Sequence, residues 1–236
     1  MQSQKSVISS YDQIHSKTDK LLEMPSFYHW VLKRLGVSPH SNLLDVATGS
    51  GSLIHFAKSQ DIYSAGIDIS FEAIKKALSR FPGLSLAISD GEKLPFQNQF
   101  FDYVTNIGSL EHFINPNRGI KEIKRVLKPS GKAAIFLPNS YYLGDILTKV
   151  MLKGEGPSHN QLIDRFHTKN EWVNLIESNG LNVLKTFSYN FIFPRSCADW
   201  KYISKRPKRL IGTLISPLIP FNLSYSFLFI CKNHTY

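Results

Sequence analysis

A chain of 236 residues with 42% hydrophobic residues is long enough for one domain with a full core and additions at its ends. Its formal charge of +10 admits nucleic acid, an anionic membrane or an acidic substrate as partner. Cys197 and Cys231 are too few and too far apart for a disulfide framework or a zinc site. No metal centre is therefore expected, and a cytoplasmic, reducing compartment is the natural one. Residues 1–5 lead into no apolar stretch, so no secretory signal is expected there.

Helical periodicity over residues 9–35, interrupted at Pro25, predicts a pair of helices in an N-terminal helical cap spanning 1–40. A core over 41–140 then alternates. Strands are predicted near 42–46, 62–67, 84–88, 101–106 and 132–137, with helices near 52–60, 71–80 and 117–127. Alternation of this kind means a doubly wound, mostly parallel α/β sheet. A third region, 141–236, supplies a substrate-side helix, the last strands and an insertion. From Ser140 to Phe166 the pattern is irregular, and Gly154-Glu155-Gly156-Pro157 marks a loop. Thr168-Lys169-Asn170-Glu171 is a capping box opening a helix that ends at Asn179-Gly180. Residues 181–189 and 225–232 read as two final strands, separated by about 35 residues where a hairpin needs a handful.

The most informative stretch is Leu43-Leu44-Asp45-Val46-Ala47-Thr48-Gly49-Ser50-Gly51-Ser52. An apolar strand ends in an acid and turns through two glycines straight into a helix, which is how a doubly wound sheet builds a nucleotide site. A dinucleotide fingerprint needs a third glycine, and that place holds Ile54. Asp45 at the strand end repels a pyrophosphate and suits a cationic ligand. S-adenosylmethionine, with its amino group and sulfonium and no phosphate, fits. Asp68, 17 residues beyond Gly51, closes the second strand and is placed to accept the ribose hydroxyls. Asp90 closes the third and is placed to take the adenine amino group.

On these residues the chain resembles the class I S-adenosylmethionine-dependent methyltransferases, specifically the group acting mostly on small molecules. The matching pieces run from Leu44–Gly51 through Gly66-Ile67-Asp68-Ile69-Ser70 and Asp90-Gly91-Glu92-Lys93-Leu94-Pro95-Phe96 to Phe100-Phe101-Asp102-Tyr103-Val104. Ser109-Leu110-Glu111-His112 and the run from Glu122 to Lys132 complete the series. The resemblance implies a seven-stranded Rossmann-like sheet with an antiparallel last strand. It implies S-adenosylmethionine as cofactor, S-adenosylhomocysteine as its product, and cofactor contacts from Asp45, Ala47, Thr48, Gly49, Gly51, Asp68, Ile69, Asp90, Gly91, Glu92, Asn106 and Ile107. Ala47 stands where the family usually has glycine, which the turn tolerates if φ there is negative.

Methyl transfer needs positioning above all, and a base only for carbon or hydroxyl acceptors. His112 and His167 are the candidate bases, each with a purely structural role as the alternative, and Tyr11 is a candidate for closing over the cofactor. The basic set Arg118, Lys121, Lys124, Arg125 and Lys128 lies opposite an apolar stripe of Ile120, Ile123, Val126 and Leu127, which is the wet face of a helix. A second set, Arg195, Lys201, Lys205, Arg206, Lys208 and Arg209, lies outside any obvious helix and precedes an apolar, proline-broken run too short to span a bilayer. That insertion reads either as a wall of the acceptor pocket or as a contact with an anionic membrane. Neither set carries interleaved stacking aromatics, so no nucleic-acid partner is expected. The place after the fourth strand holds Asn106-Ile107-Gly108-Ser109 rather than the Asn-Pro-Pro-aromatic run of DNA amino-methylating enzymes. The acceptor expected is a small molecule, lipid-linked or sugar-linked. A polymer-directed enzyme and a catalytically silent cofactor-binding subunit are the alternatives.

Overall fold

The computed structural model describes residues 4–17 and 23–233, apart from the side chains at 207 and 208. Part of the predicted helical cap, 18–22, lies outside the described residues. Strands β1 (Asn42–Val46), β2 (Tyr63–Asp68), β3 (Ser85–Ile88), β4 (Phe101–Ile107), β5 (Leu127–Pro138), β6 (Leu181–Tyr189) and β7 (Ser226–Asn233) form one sheet. Its order is β3-β2-β1-β4-β5-β7-β6. The first five strands pair in parallel, and β7 enters antiparallel between β5 and β6. Strand order reverses beside β1, so the crevice that such sheets open at their strand C-termini lies between β1 and β4.

Both faces are covered. Leu43, Leu44 and Val46 of β1 are fully buried, as a continuous apolar strand with helices on each side must be. On one face helix α2 (Pro25–Leu35) and helix α3 (Ser52–Lys58) pack Phe27, Val31, Leu35 and Ile54 against the sheet. On the other, α5 (Pro116–Val126) and α6 (Lys169–Ser178) bury Ile120, Ile123, Trp172 and Ile176. Helix starts follow the local chemistry. The Ser70 hydroxyl accepts from Ala73 N–H at the head of α4 (Phe71–Arg80), Asn115 caps α5, and the Thr168/Glu171 box caps α6.

Three expectations are corrected. Helix α1 (Gln4–Lys17) begins earlier than the periodicity indicated, and it lies along α4: Asp12 accepts from Ser70 Oγ at 2.6 Å, and Lys76 donates to the His15 carbonyl. The stretch read as irregular holds a helical run, 143–153, with a π-turn at Ile146–Val150. The basic insertion is helical as well. It forms α7 (Cys197–Ser204), opened by a Ser196/Asp199 capping box, and α8 (Pro207–Ile215), opened by a proline in its first turn. Asp199 also accepts from Ser26 N–H and Oγ at 3.1 and 2.5 Å, which ties α7 to the head of α2.

Candidate active site

The strand C-termini, α1 and the insertion enclose a cavity of about 430 Å³, within the usual range for a small-molecule site. Its base is the turn after β1. There Ala47, Gly49 and Gly51 all adopt left-handed backbone, with φ of 59°, 49° and 69°. The condition of negative φ, under which the turn would tolerate Ala47 without strain, is therefore not met. The turn must fold back so that Thr48 N–H reaches the Ile67 carbonyl at 2.8 Å, and a Cβ-bearing residue pays about 1–2 kcal/mol for that conformation.

Three acids face this cavity from three strand ends. Asp68 accepts one backbone N–H on each oxygen, from Gly49 at 2.8 Å and Ser70 at 2.9 Å. That aims its remaining lone pairs outward, and burial raises its pKa. Asp45 is pushed up to about 6 by burial, while Thr105 Oγ1, donating at 2.6 Å, opposes the shift. Asp90 accepts from Glu92 N–H at 2.8 Å on one oxygen and from the Gln4 carboxamide at 2.7 Å on the other. The α1 amide thus gives Asp90 the same N–H donor that an adenine amino group carries.

A second corner of the cavity gathers Tyr11, Glu111, His112, His159 and Gln161. Tyr11 donates to Gln161 Oε1 at 3.2 Å, its ring centre lies 6.3 Å from that of His112, and burial followed by the charge of Glu111 raises its pKa. Burial pushes Glu111 up to about 8 and lowers the pKa of both His112 and His159. The segment carrying His159 is pinned here by Arg165, which donates to the carbonyls of Glu111, Phe113 and Ile114. The opposite wall is aromatic, with Phe27, Tyr28, Phe136 and Tyr225, and is closed by the Glu23–Arg209 ion pair at 2.6 Å.

Of the residues expected from sequence, Tyr11, Asp45, Ala47, Thr48, Gly49, Asp68, Ile69, Asp90, Gly91, Glu92, Ile107 and His112 line the cavity. Gly51 lies behind the turn as the α3 N-cap, where a Cβ would stand 3.1 Å from Leu84 and 3.2 Å from Ala77. Asn106 is fully buried and bridges Val46 O to Leu110 N–H. His167 lies outside the cavity lining, edge-on to Trp172 with ring centres 4.4 Å apart. Sequence reading missed Gln4, Glu111, His159 and Arg209.

Residues 44–135 match the family described as a methyltransferase domain. Over 119 residues the chain is 30% identical to a ubiquinone/menaquinone biosynthesis C-methyltransferase, UbiE, of Geotalea daltonii, covering 47% of this chain and 51% of that protein. It is also 30% identical over 117 residues to the uncharacterised methyltransferase YdaC of Bacillus subtilis, 48% of this chain and 65% of that one. The chain thus spans about half to two thirds of the length of these relatives. Among solved structures, it superposes on the methyltransferase chain of a Haloferax volcanii complex with the Trm112 methyltransferase activator. The TM-score is 0.67, with 18% identity and 98% of both chains covered.

Proposed function

We propose, from the premise that this chain belongs to the class I S-adenosylmethionine-dependent methyltransferases, that it carries a methyl group from that cofactor to a small-molecule acceptor. The observation that carries the reading is the set of Asp45, Asp68 and Asp90 on one cavity, with Asp68 oriented by two backbone N–H groups. Asp68 takes the ribose hydroxyls, Asp90 the adenine amino group, and Asp45 the cationic methionine end. Tyr11 and His112 would line the acceptor's side of the cavity. When bound, the cofactor would supply a sulfonium-activated methyl group to an acceptor lone pair and leave as the neutral thioether. Positioning is the main contribution of the protein, because the sulfonium already activates the carbon. Labelled methyl transfer into a metabolite extract, set against bulk RNA, DNA and protein, tests it. Transfer to polymer at rates matching the extract refutes a small-molecule acceptor.

The acceptor carries an apolar portion and is drawn from an anionic membrane surface. Helix α8 supports this, since one helix serves two surfaces. Arg209 lines the cavity, while Ile211, Leu214 and Ile215 are exposed, followed by Leu218 at 82% exposure. The 143–153 run exposes Leu147, Val150, Met151 and Leu152 beside Lys149 and Lys153. Tyr225 lies between the two segments, its ring 5.1 Å from Tyr142, just before the 143–153 run, and 4.8 Å from Phe191, which packs against Gly212 of α8. Apolar faces edged with Lys201, Lys205 and Arg206 suit an interfacial contact with anionic lipid. No helix among the described residues is long and apolar enough to cross a membrane. The relatives named for ubiquinone/menaquinone biosynthesis also support a small-molecule acceptor.

A further inference from the structure

The corner opposite the cofactor acids brings together three groups that methyl transfer by itself does not need. Glu111 and His112 come from the turn after β4, and His159 from a loop about fifty residues later. One donor atom from each lies within 4.8 Å of the other two. Around a tetrahedral ion with ligand bonds of 2.0–2.1 Å the donors stand about 3.4 Å apart, so a side-chain adjustment of roughly an ångström closes the set.

We propose that Glu111, His112 and His159 form a binding site for a borderline divalent cation of the zinc type, which holds an oxygen of the acceptor. Two further observations support this. Glu111 is 2% exposed, and its Oε2 has no hydrogen-bond partner among the described residues. A buried carboxyl oxygen without a hydrogen-bond partner is costly, and a cation can supply the partner it lacks. The imidazoles are also prepared in the manner of metal ligands. His112 Nδ1 lies 2.5 Å from the Ile163 carbonyl, which fixes the proton on Nδ1 and leaves the Nε2 lone pair, 3.7 Å from Glu111 Oε1, for an ion. His159 Nδ1 lies 3.5 Å from Asp164 Oδ1, near enough for charge attraction though not hydrogen-bonded to it, and the other Asp164 oxygen accepts from Ser158 Oγ at 3.1 Å. Two imidazoles and one carboxylate select a zinc-like ion over magnesium or calcium, and three protein ligands leave a fourth position open.

That open position faces the cavity, where an acceptor hydroxyl or enol oxygen enters. Bound to the cation, the oxygen gives up its proton to solvent. The resulting oxyanion, or the carbon conjugated with it, attacks the methyl group as the C–S bond breaks. This chemistry rests on the methyltransferase reading above, whereas binding of the cation does not.

The test titrates the full chain with Co²⁺ alone, without cofactor or acceptor, and follows the visible absorption of a low-symmetry site and the binding isotherm. One equivalent is expected, with affinity at least tenfold weaker in His159→Ala and in Glu111→Gln, and unchanged in His29→Ala, which removes an exposed histidine on α2. Glu111→Gln keeps the buried volume, so a folded ligand variant is available if His159→Ala is unstable. Absence of saturable binding, or equal affinity in the folded ligand variants, overturns the site. Cofactor affinity is measured separately, so failure of the cation site and failure of the methyltransferase reading are told apart.

Discussion

Replacing Ala47 by glycine should stabilise this protein, although it deletes a methyl group. Ala47 holds φ at 59° in the turn after β1, between a strand and a glycine pair that fix its path. The left-handed region costs a Cβ-bearing residue about 1–2 kcal/mol that glycine does not pay. Against that, glycine has more freedom to lose on folding, at about 0.4–1 kcal/mol. The balance favours Ala47→Gly by about 0.5–1 kcal/mol. For a domain of this size that corresponds to a rise in Tm of about 1–4 °C. Thermal unfolding of the two proteins at matched concentration, without cofactor, reads this directly. A fall of several degrees would contradict the backbone assignment, because it would mean that the methyl group packs at a residue without strain.

The pH dependence of cofactor binding follows from Asp45. Its pKa is raised to about 6 in the folded chain, so it is neutral below that value and charged above. Affinity for the cationic cofactor should therefore rise as pH passes from about 5 to 7, and Asp45→Asn should flatten the profile. The folded state holds this proton more tightly than the unfolded one, so the contribution of Asp45 to free-protein stability should fall as pH rises from about 4 to 6, against the opposite trend from Asp102, Glu122 and Asp199, whose pKa values are lowered. The loss is on the order of 2–3 kcal/mol, and the difference in urea midpoints between the unmodified chain and Asp45→Asn across that window reads it. A difference between the two proteins that does not change across the window would overturn the assignment. Gln4→Ala should raise cofactor affinity about two- to tenfold, because it removes the amide that occupies Asp90, and calorimetry that finds weaker binding would place Gln4 on the cofactor instead. The full chain should float with anionic but not neutral vesicles and be released by moderate salt, and Leu214→Asp with Leu218→Asp should abolish flotation. Flotation that survives those changes would mean that another face makes the contact.

The acid-lined side of the cavity was legible because its determinants are local. Asp45, Asp68 and Asp90 each sit where an apolar run meets a turn, and the doubly wound sheet brings such ends together whatever the helices contain. The corner of Glu111, His112 and His159 was not, because Glu111 and His159 meet only through tertiary packing, with Arg165 holding one segment on the other. His112 and His167 looked equivalent in sequence, yet one faces the cavity and the other packs edge-on against Trp172. The helical insertion did leave a signal: Ser196-Cys197-Ala198-Asp199 has capping-box spacing, and Pro207 stands in the first turn of the next helix. Ala47 ran against the usual preference for glycine at positive φ, since the return of Thr48 to β2 sets that angle against the residue's own preference.

Calorimetric titration of S-adenosylhomocysteine into the unmodified chain and into Asp68→Ala bears most directly on the central claim. One molecule should bind per chain. Loss of a carboxylate that accepts the ribose hydroxyls should weaken binding by about 2–3 kcal/mol, some 30- to 150-fold, with the thermal transition of the folded variant intact. Equal affinity in the two proteins, or no binding to either, would contradict the assignment of this cavity.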